Sequence, residues 1–455
     1  MNMTSTDIAV IGAGNIGISV AYYLKKSNPS LRVTLIDQGS PMAFTSAQSG
    51  ENYRNWWQHP VMMALSNDSI DLMEEIARDS NNQINMNRRG YVLATRSNDT
   101  DNLVSELYSA YEGDPLNTVR MHDSSNGTAY EPPVKEDWET APSGVDILQD
   151  PSQIRHHFPW YDEKVNMLIH IRRAGDISGQ QMGQYMLDCL REWGGQRIQG
   201  KVTAIEKSDG FVVHLSSSKQ ALKAGKIVIA AGPFVNEIAR MLGESLPVHN
   251  ILQQKIAFED TKKAIPRRMP FSIDMDRQYI DWSGEEKEAL SSEAEYAWLT
   301  KEMPPAIHCR PDGGDHGNWI KLGWAYNEAI ENEISFEPSF SDNFPEIVLR
   351  GAARLNPALK SYYGNLPRNM THYGGYYTMT AENWPLIGPM NTEGSYVVGA
   401  MSGFGTMAAC SAGNLAAKWI LGDKLPSYAD MLAPNRYSNA SLMADLTKQD
   451  SKGIL

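Results

Sequence analysis

The residues of this chain that could do chemistry begin with three glycines. Gly12-Ala13-Gly14-Asn15-Ile16-Gly17 has the spacing of a phosphate-cradling turn, and Asp37 follows about 20 residues after the last glycine. Each residue has a role if a dinucleotide binds there. Gly12 makes the tight turn, Gly14 lets backbone approach a pyrophosphate, and Gly17 lets helix and strand pack closely. Asn15 and Ile16 stand where a helix N-terminus presents unpaired N–H groups and a positive dipole end. Asp37, followed by Gln38, is placed to bond a ribose hydroxyl. Lys321 is a second candidate. In Trp319-Ile320-Lys321-Leu322-Gly323-Trp324, strand alternation puts Trp319, Lys321 and Gly323 on one face. The ammonium there is either a solvated surface charge or a fixed cation of a site.

The glycines need a strand before them and a helix after them. Ile8 to Ile11 is a short apolar run, Ile18 to Lys26 is amphipathic, and Val33, Leu35 and Ile36 form a second apolar run. This is strand, turn, helix, strand. The unit is not followed by a series of similar units. Strand-rich stretches intervene, and glycine turns return near residues 232 and 399 to 405. The pattern predicts an α/β (α+β) chain with a discontinuous, Rossmann-like nucleotide domain and an inserted β-rich domain. The first comprises residues 1–85, 151–245 and 365–435, and the second 86–150 and 246–364, with 436–455 as a polar C-terminal tail. Residues 98–150 read as weakly patterned surface. Residues 281–303, with six glutamates, read as an insertion.

At 455 residues the chain is too long for one core, and 42% hydrophobic with 21% charged residues describes an ordinary globular protein. The formal net charge of -13 disfavours nucleic acid and anionic membranes as partners. Cys189, Cys309 and Cys410 have no zinc-ligand spacing and are too few for a disulfide framework. A reducing compartment is expected, cytoplasm by default, and no metal site. No apolar run is long enough to span a bilayer.

The fingerprint, the segment Ser46 to Arg54, Ile229-Ala230-Ala231-Gly232-Pro233, Lys321-Leu322-Gly323, Tyr377-Thr378-Met379-Thr380 and Ser402-Gly403-Phe404-Gly405 together resemble the D-amino-acid-oxidase-like FAD oxidoreductases. The sarcosine oxidase, glycine oxidase and dimethylglycine dehydrogenase group is the nearest part of that family. The resemblance implies FAD at the fingerprint, expected to be non-covalent because the family's attachment residues are absent, and contacted also by Ser46, Ser49, Gly50, Val202, Ala231, Gly232, Gly403, Phe404, Gly405 and Thr406. It implies oxidation of a carbon–nitrogen bond by hydride transfer to the flavin. Arg54 matches a position near the flavin ring, and a cation there favours the anionic reduced flavin. Lys321 matches a lysine that promotes reaction with O2, where a fixed positive charge stabilises developing superoxide. Tyr377 matches a substrate-side tyrosine. Trp57, Tyr279, His308, Trp324, Tyr376 and Met407 are the remaining expected pocket residues.

The chain also departs from that pattern. Monomeric sarcosine oxidases attach FAD through a cysteine where this chain has Gly375, and no histidine falls in the loop where the dimethylglycine dehydrogenase group attaches its flavin. Two basic residues that hold a substrate carboxylate match Met407 and, loosely, Trp57. Either Arg310 or Arg277 replaces them, or the substrate is a larger or cationic amine. The expected activity is an amine or amino-acid oxidase acting with O2 to give hydrogen peroxide. The alternatives are a dehydrogenase passing electrons to a quinone or carrier protein, and a non-catalytic flavoprotein assembly factor. The expected partners are a small-molecule amine and O2, and an oligomer is compatible with the chain.

Overall fold

The fingerprint folds as its pattern predicts. In the computed structural model, strand Ser5–Ile11, helix Asn15–Ser27 and strand Val33–Asp37 follow one another. The structure describes residues 5–111, 118–122, 129–133, 138–216, 221–314 and 316–448. Ser5–Ile11 pairs in parallel with Val33–Asp37 on one side and with Leu222–Ile229 on the other. Ser395–Gly399 adds a further parallel strand beyond Leu222–Ile229. Ile11, Ile36, Ile229 and Val397 lie in register. The carboxyl ends of four strands therefore share one edge, where open parallel sheets bind ligands.

Both faces of this sheet are covered, as a parallel sheet requires. Val10, Leu35, Val228 and Val398 pack beneath helices Asn15–Ser27, Pro60–Asp79, Gly179–Glu192 and Gly405–Leu421. Ala9, Ile11, Ile36, Ile227, Ile229 and Val397 pack on the opposite side against the ribbon of Val202–Ser208 and Gly210–Leu215 and helix Val235–Arg240. The α/β class with a Rossmann-like domain is the observed one.

The second sheet has nine strands, in the order Thr371–Met379, His249–Glu259, Trp319–Gly323, Ile307–Asp312, Phe271–Asp274, Tyr91–Thr95, Met167–Ile171, Val145–Leu148, Val119–His122. Met167–Ile171 and Thr371–Met379 pair into it, although the segments that contain them read as parts of the nucleotide domain. Two further differences have clear causes. Within 98–150, Val145–Leu148 is a fully buried strand. Its Asp146 breaks the apolar pattern, but the carboxylate is buried against Arg172 at 2.6 Å and Arg120 at 2.5 Å. Residues 436–448 are no loose tail. They form a 3-10 turn and a helix, anchored by the buried Arg436; residues 449–455 lie outside the described residues. Among the described residues no helix is long and apolar enough to cross a membrane.

The Asp146 cluster makes a pH dependence. His170 is fully buried, with Nδ1 2.9 Å from the Tyr130 hydroxyl and Nε2 3.0 Å from the Arg89 carbonyl oxygen. Burial, reinforced by Arg172, lowers its pKa to about 3. The unfolded chain therefore binds a proton that the folded chain refuses, and stability falls as pH drops from about 6.5 toward 3, by about 1.4 kcal/mol per pH unit inside that window. Asp146 adds to the loss at still lower pH. Burial alone would raise its pKa, but Arg120, Arg172 and His122 hold it at about 2. A urea unfolding midpoint measured near pH 7 and near pH 4 is expected to fall at the lower pH, and His170→Leu is expected to flatten the change.

Candidate functional site

A cleft of about 350 Å³ opens at the shared strand edge. Gly12, Gly14, Asn15, Ile16, Asp37, Gln38, Ser46, Ser49, Val202, Ala231, Gly232, Gly403, Gly405 and Thr406 line it, so most of the expected nucleotide contacts come together. Tyr376 and Tyr377 line it from the second sheet. Gly12 has φ +111°, and a Cβ on it would lie 2.2 Å from the Ala230 carbonyl oxygen. Gly17 does not line the cleft; its Cβ would lie 1.8 Å from the Gly12 oxygen, which is the close packing expected of it. The Asp37 carboxylate accepts the Ala13 amide at 2.7 Å and the Gly39 amide at 2.8 Å, which stiffens the turn. Each oxygen keeps a further acceptor position for a hydroxyl.

Two helices start at the cleft, Asn15–Ser27 and Gly405–Leu421; neither Gly14 nor Phe404, the residues before them, supplies a side-chain cap, and the Ser46 hydroxyl accepts the Asn15 amide at 3.0 Å. Asn15 donates from Nδ2 to Thr406 Oγ1 at 3.2 Å and ties the two starts together. The turn before the second helix is strained, with φ of 56° at Ala400, 44° at Ser402 and 91° at Gly403. A Cβ on Gly403 would sit 2.4 Å from the Tyr377 ring. Among the cleft-lining residues, Asn15 Oδ1, Thr45 Oγ1 and Ser402 Oγ are buried without a protein partner. Positive helix ends and orphaned buried oxygens fit a group carrying a diphosphate and many hydrogen-bonding atoms.

The facing wall is one side of the second sheet. Register places Tyr377, Gly375, Tyr373, Lys255, Gly323, Lys321, His308 and Arg310 on that side. Lys321 does not line the cleft. Its Nζ lies 3.3 Å from Glu51 and 3.2 Å from Asp312. Arg310 joins the same cluster, 3.0 Å from Asp312 and 3.4 Å from Asp176, and donates to the Gly50 carbonyl at 3.0 Å. Gly50 thus serves the cluster behind the cleft. Burial alone would raise the Asp312 carboxyl, but Arg310 and Lys321 hold it below its ordinary value. His308 is pressed down to about 3 by burial and by the charge of Lys255, and its ring packs 5.1 Å from Phe271.

The remaining expected residues fall into two groups. Arg54 is buried between the rings of Trp57 at 4.6 Å and Tyr91 at 4.9 Å, behind the Gly403 turn. Trp57 meets Phe404 edge-on at 5.0 Å, and Met407 is buried in the first helical turn. This group supports the cleft without lining it. Tyr279 and Trp324 are corrections. Tyr279 is 64% exposed, beside the acidic insertion. Trp324 is buried in the core on the far side of the second sheet, against Gly351 and the Pro304 carbonyl. It has the opposite parity from Lys321 and Gly323, so the strand turns it away from the cleft. Lys255, Gln48, Phe44 and Phe336 line the cleft and were missed. Lys255 follows Gln253 and Gln254 in the mixed strand His249–Glu259, so its charge did not stand out.

The fold sets one face of a β-rich sheet opposite the carboxyl edge of a parallel, Rossmann-like sheet, with the cleft at that edge. The chain belongs to the FAD-dependent oxidoreductase family, which it matches over residues 7–419. It is 19% identical over 448 residues to mitochondrial dimethylglycine dehydrogenase of Mus musculus, covering 95% of this chain and 44% of the relative. The chain thus spans less than half the length of that relative. Among solved structures it is similar to L-proline dehydrogenase from P. horikoshii (TM-score 0.73, 16% identity, 96% of this chain and 99% of that one). It is also similar to glycine oxidase from Geobacillus kaustophilus (TM-score 0.69, 15% identity, 92% and 96%).

Proposed function

We propose that this chain oxidises the carbon–nitrogen bond of a small amine or amino acid, with O2 as the final acceptor. The reading is carried by one juxtaposition: the helix starts at Asn15 and Gly405 share a cleft with Tyr377 and Lys255 of the β-rich domain. FAD held at the fingerprint supplies the two-electron acceptor for a hydride leaving the carbon beside nitrogen. Gly12, Gly14, Asn15, Ile16 and Asp37 would hold its nucleotide end, and the Gly405 helix start would favour negative charge on its ring. Gly375 lines the cleft and offers no atom for a thioether, which supports non-covalent retention. The amine gives up its ammonium proton to water on entry, so no dedicated base is required. Tyr377 forms the sheet-side wall. The imine product takes up water and releases a carbonyl compound and the free amine or ammonia. Two electrons and two protons reduce O2 to hydrogen peroxide.

The first test is acid precipitation of the purified protein followed by an anaerobic panel of amines and amino acids. Flavin released into the supernatant, bleaching by one substrate class and peroxide on re-aeration are the expected results. A specific observation favours a second reading, a dehydrogenase with a quinone or carrier protein as acceptor. The Lys321 ammonium is matched by two carboxylates, which cancel the charge proposed to assist O2. Lys321→Met is expected to slow reoxidation of the reduced enzyme by O2 about 100-fold if that charge serves the oxidase. An unchanged rate makes Lys321 a structural member of its cluster, and slow reoxidation of the wild type selects the dehydrogenase.

A further inference from the structure

We propose that Lys255 anchors the carboxylate of the substrate, so that the substrate is an amino acid and not a simple amine; this rests on the carbon–nitrogen oxidation proposed above. The two basic residues expected to hold such a carboxylate are Met407 and Trp57 here, and neither lines the cleft. The two replacements considered from sequence are also spent. Arg310 is engaged by Asp176 and Asp312, and Arg277 is an exposed residue paired with Glu302. Arg54 is held between two rings behind the cleft.

Lys255 differs from all of these. It lines the cleft and is only 7% exposed. Its strand places it opposite Gly323 on one side and Tyr373 on the other. Gly323 makes the room, since a Cβ there would lie 2.3 Å from His308 Nε2 and 3.2 Å from Lys255 Cγ. The ammonium has three donors, and one goes to the Gln48 carbonyl oxygen at 3.2 Å. The Tyr377 ring lies 5.6 Å away, and among the described residues no carboxylate pairs with Lys255. A buried charge is stable when it is paired and hydrogen-bonded, so this one is built to receive an anion from the cleft. Tyr377, beside it, would then face the carbon and nitrogen that react.

The test uses the flavin-loaded enzyme and reads perturbation of the flavin's visible absorption. Wild type is titrated with propionate and with propionamide, which has the same shape without the charge. Saturable perturbation by propionate but not propionamide is expected, and equal affinity for the two overturns the proposal without any variant being made. Lys255→Met is expected to weaken propionate about 30-fold to about 100-fold, with Lys255→Arg retaining it to within about tenfold. Unchanged propionate affinity in Lys255→Met, with or without a shifted flavin potential, assigns the lysine elsewhere and overturns the proposal. In turnover, Lys255→Met is expected to raise KM for the amino acid more than it lowers kcat. Failure of every amine and amino acid to bleach the flavin sinks the oxidation reading instead, and the propionate titration still decides the role of Lys255 separately.

Discussion

Gly12→Ala is expected to purify without flavin. The residue stands at φ +111°, and the atom its Cβ would meet is the Ala230 carbonyl oxygen at 2.2 Å. That obstacle is backbone immediately after the strand Leu222–Ile229, so no rotamer relieves it. Holding an L-residue in this region costs about 1–3 kcal/mol, before the strand end is pushed aside. The loop that moves is the one that approaches the diphosphate, so affinity for FAD is expected to fall at least about 100-fold. Titration of the apoprotein with FAD measures this, with circular dichroism to show that the fold persists. Gly39→Ala is the control. Gly39 also lines the cleft, but its Cβ would find Asp37 Oδ1 at an ordinary 3.8 Å. Normal flavin content in Gly12→Ala would show that the turn is not the cofactor's seat.

Arg436→Met is expected to cost about 3–5 kcal/mol of stability, the usual loss when one member of a buried ion pair is removed. The Arg436 and Glu382 side chains are 0% and 1% exposed, with Nη2 and Oε1 2.5 Å apart. Arg436 also donates to the carbonyls of Pro385 and Leu432, and the Tyr437 hydroxyl donates to Glu382. The variant leaves a carboxylate in the interior that keeps the Tyr437 hydroxyl but has lost its cation. The double variant Arg436→Met, Glu382→Leu is expected to recover part of the loss, because no charge then remains buried. Guanidinium unfolding checks both, and a loss below about 1 kcal/mol in the single variant would place water at this site. The pair anchors the C-terminal segment to Leu386–Pro389, which pairs with Ser395–Gly399. That strand carries the Gly403 turn, so weaker flavin retention is the expected accompaniment.

Much of the fold was legible because the information is local. Alternation in the strands and amphipathic spacing in Pro60–Asp79 and Gly179–Glu192 depend only on neighbouring residues. The errors arose where a distant partner reverses a local preference. Residues 98–150 read as surface, whereas Arg120 and Arg172 let Asp146 sit inside a buried strand. Arg436 looked like the start of a polar tail until Glu382 took it inside. Trp324 is a different case. Its parity relative to Lys321 and Gly323 already turns it to the opposite face, and aromatic character alone does not place a residue in a cleft.

By itself the sequence determined the glycine turn and the strand–helix–strand unit around it. Glycine spacing, the following helix and Asp37 encode a backbone conformation that few other residue types can adopt, and Gly12, Gly14, Asn15, Ile16 and Asp37 all line the cleft. It also marked Lys321, a charge inside the short strand Trp319–Gly323, but not Lys255, which follows Gln253 and Gln254 in the mixed strand His249–Glu259. Only the tertiary structure decided between them. Glu51 and Asp312 converge on Lys321 from separate segments, while Lys255 receives a carbonyl and an aromatic face. Coulomb energy depends on distance in space and on burial, and neither is a property of sequence spacing. Packing therefore decides which of these two lysines is matched by carboxylates.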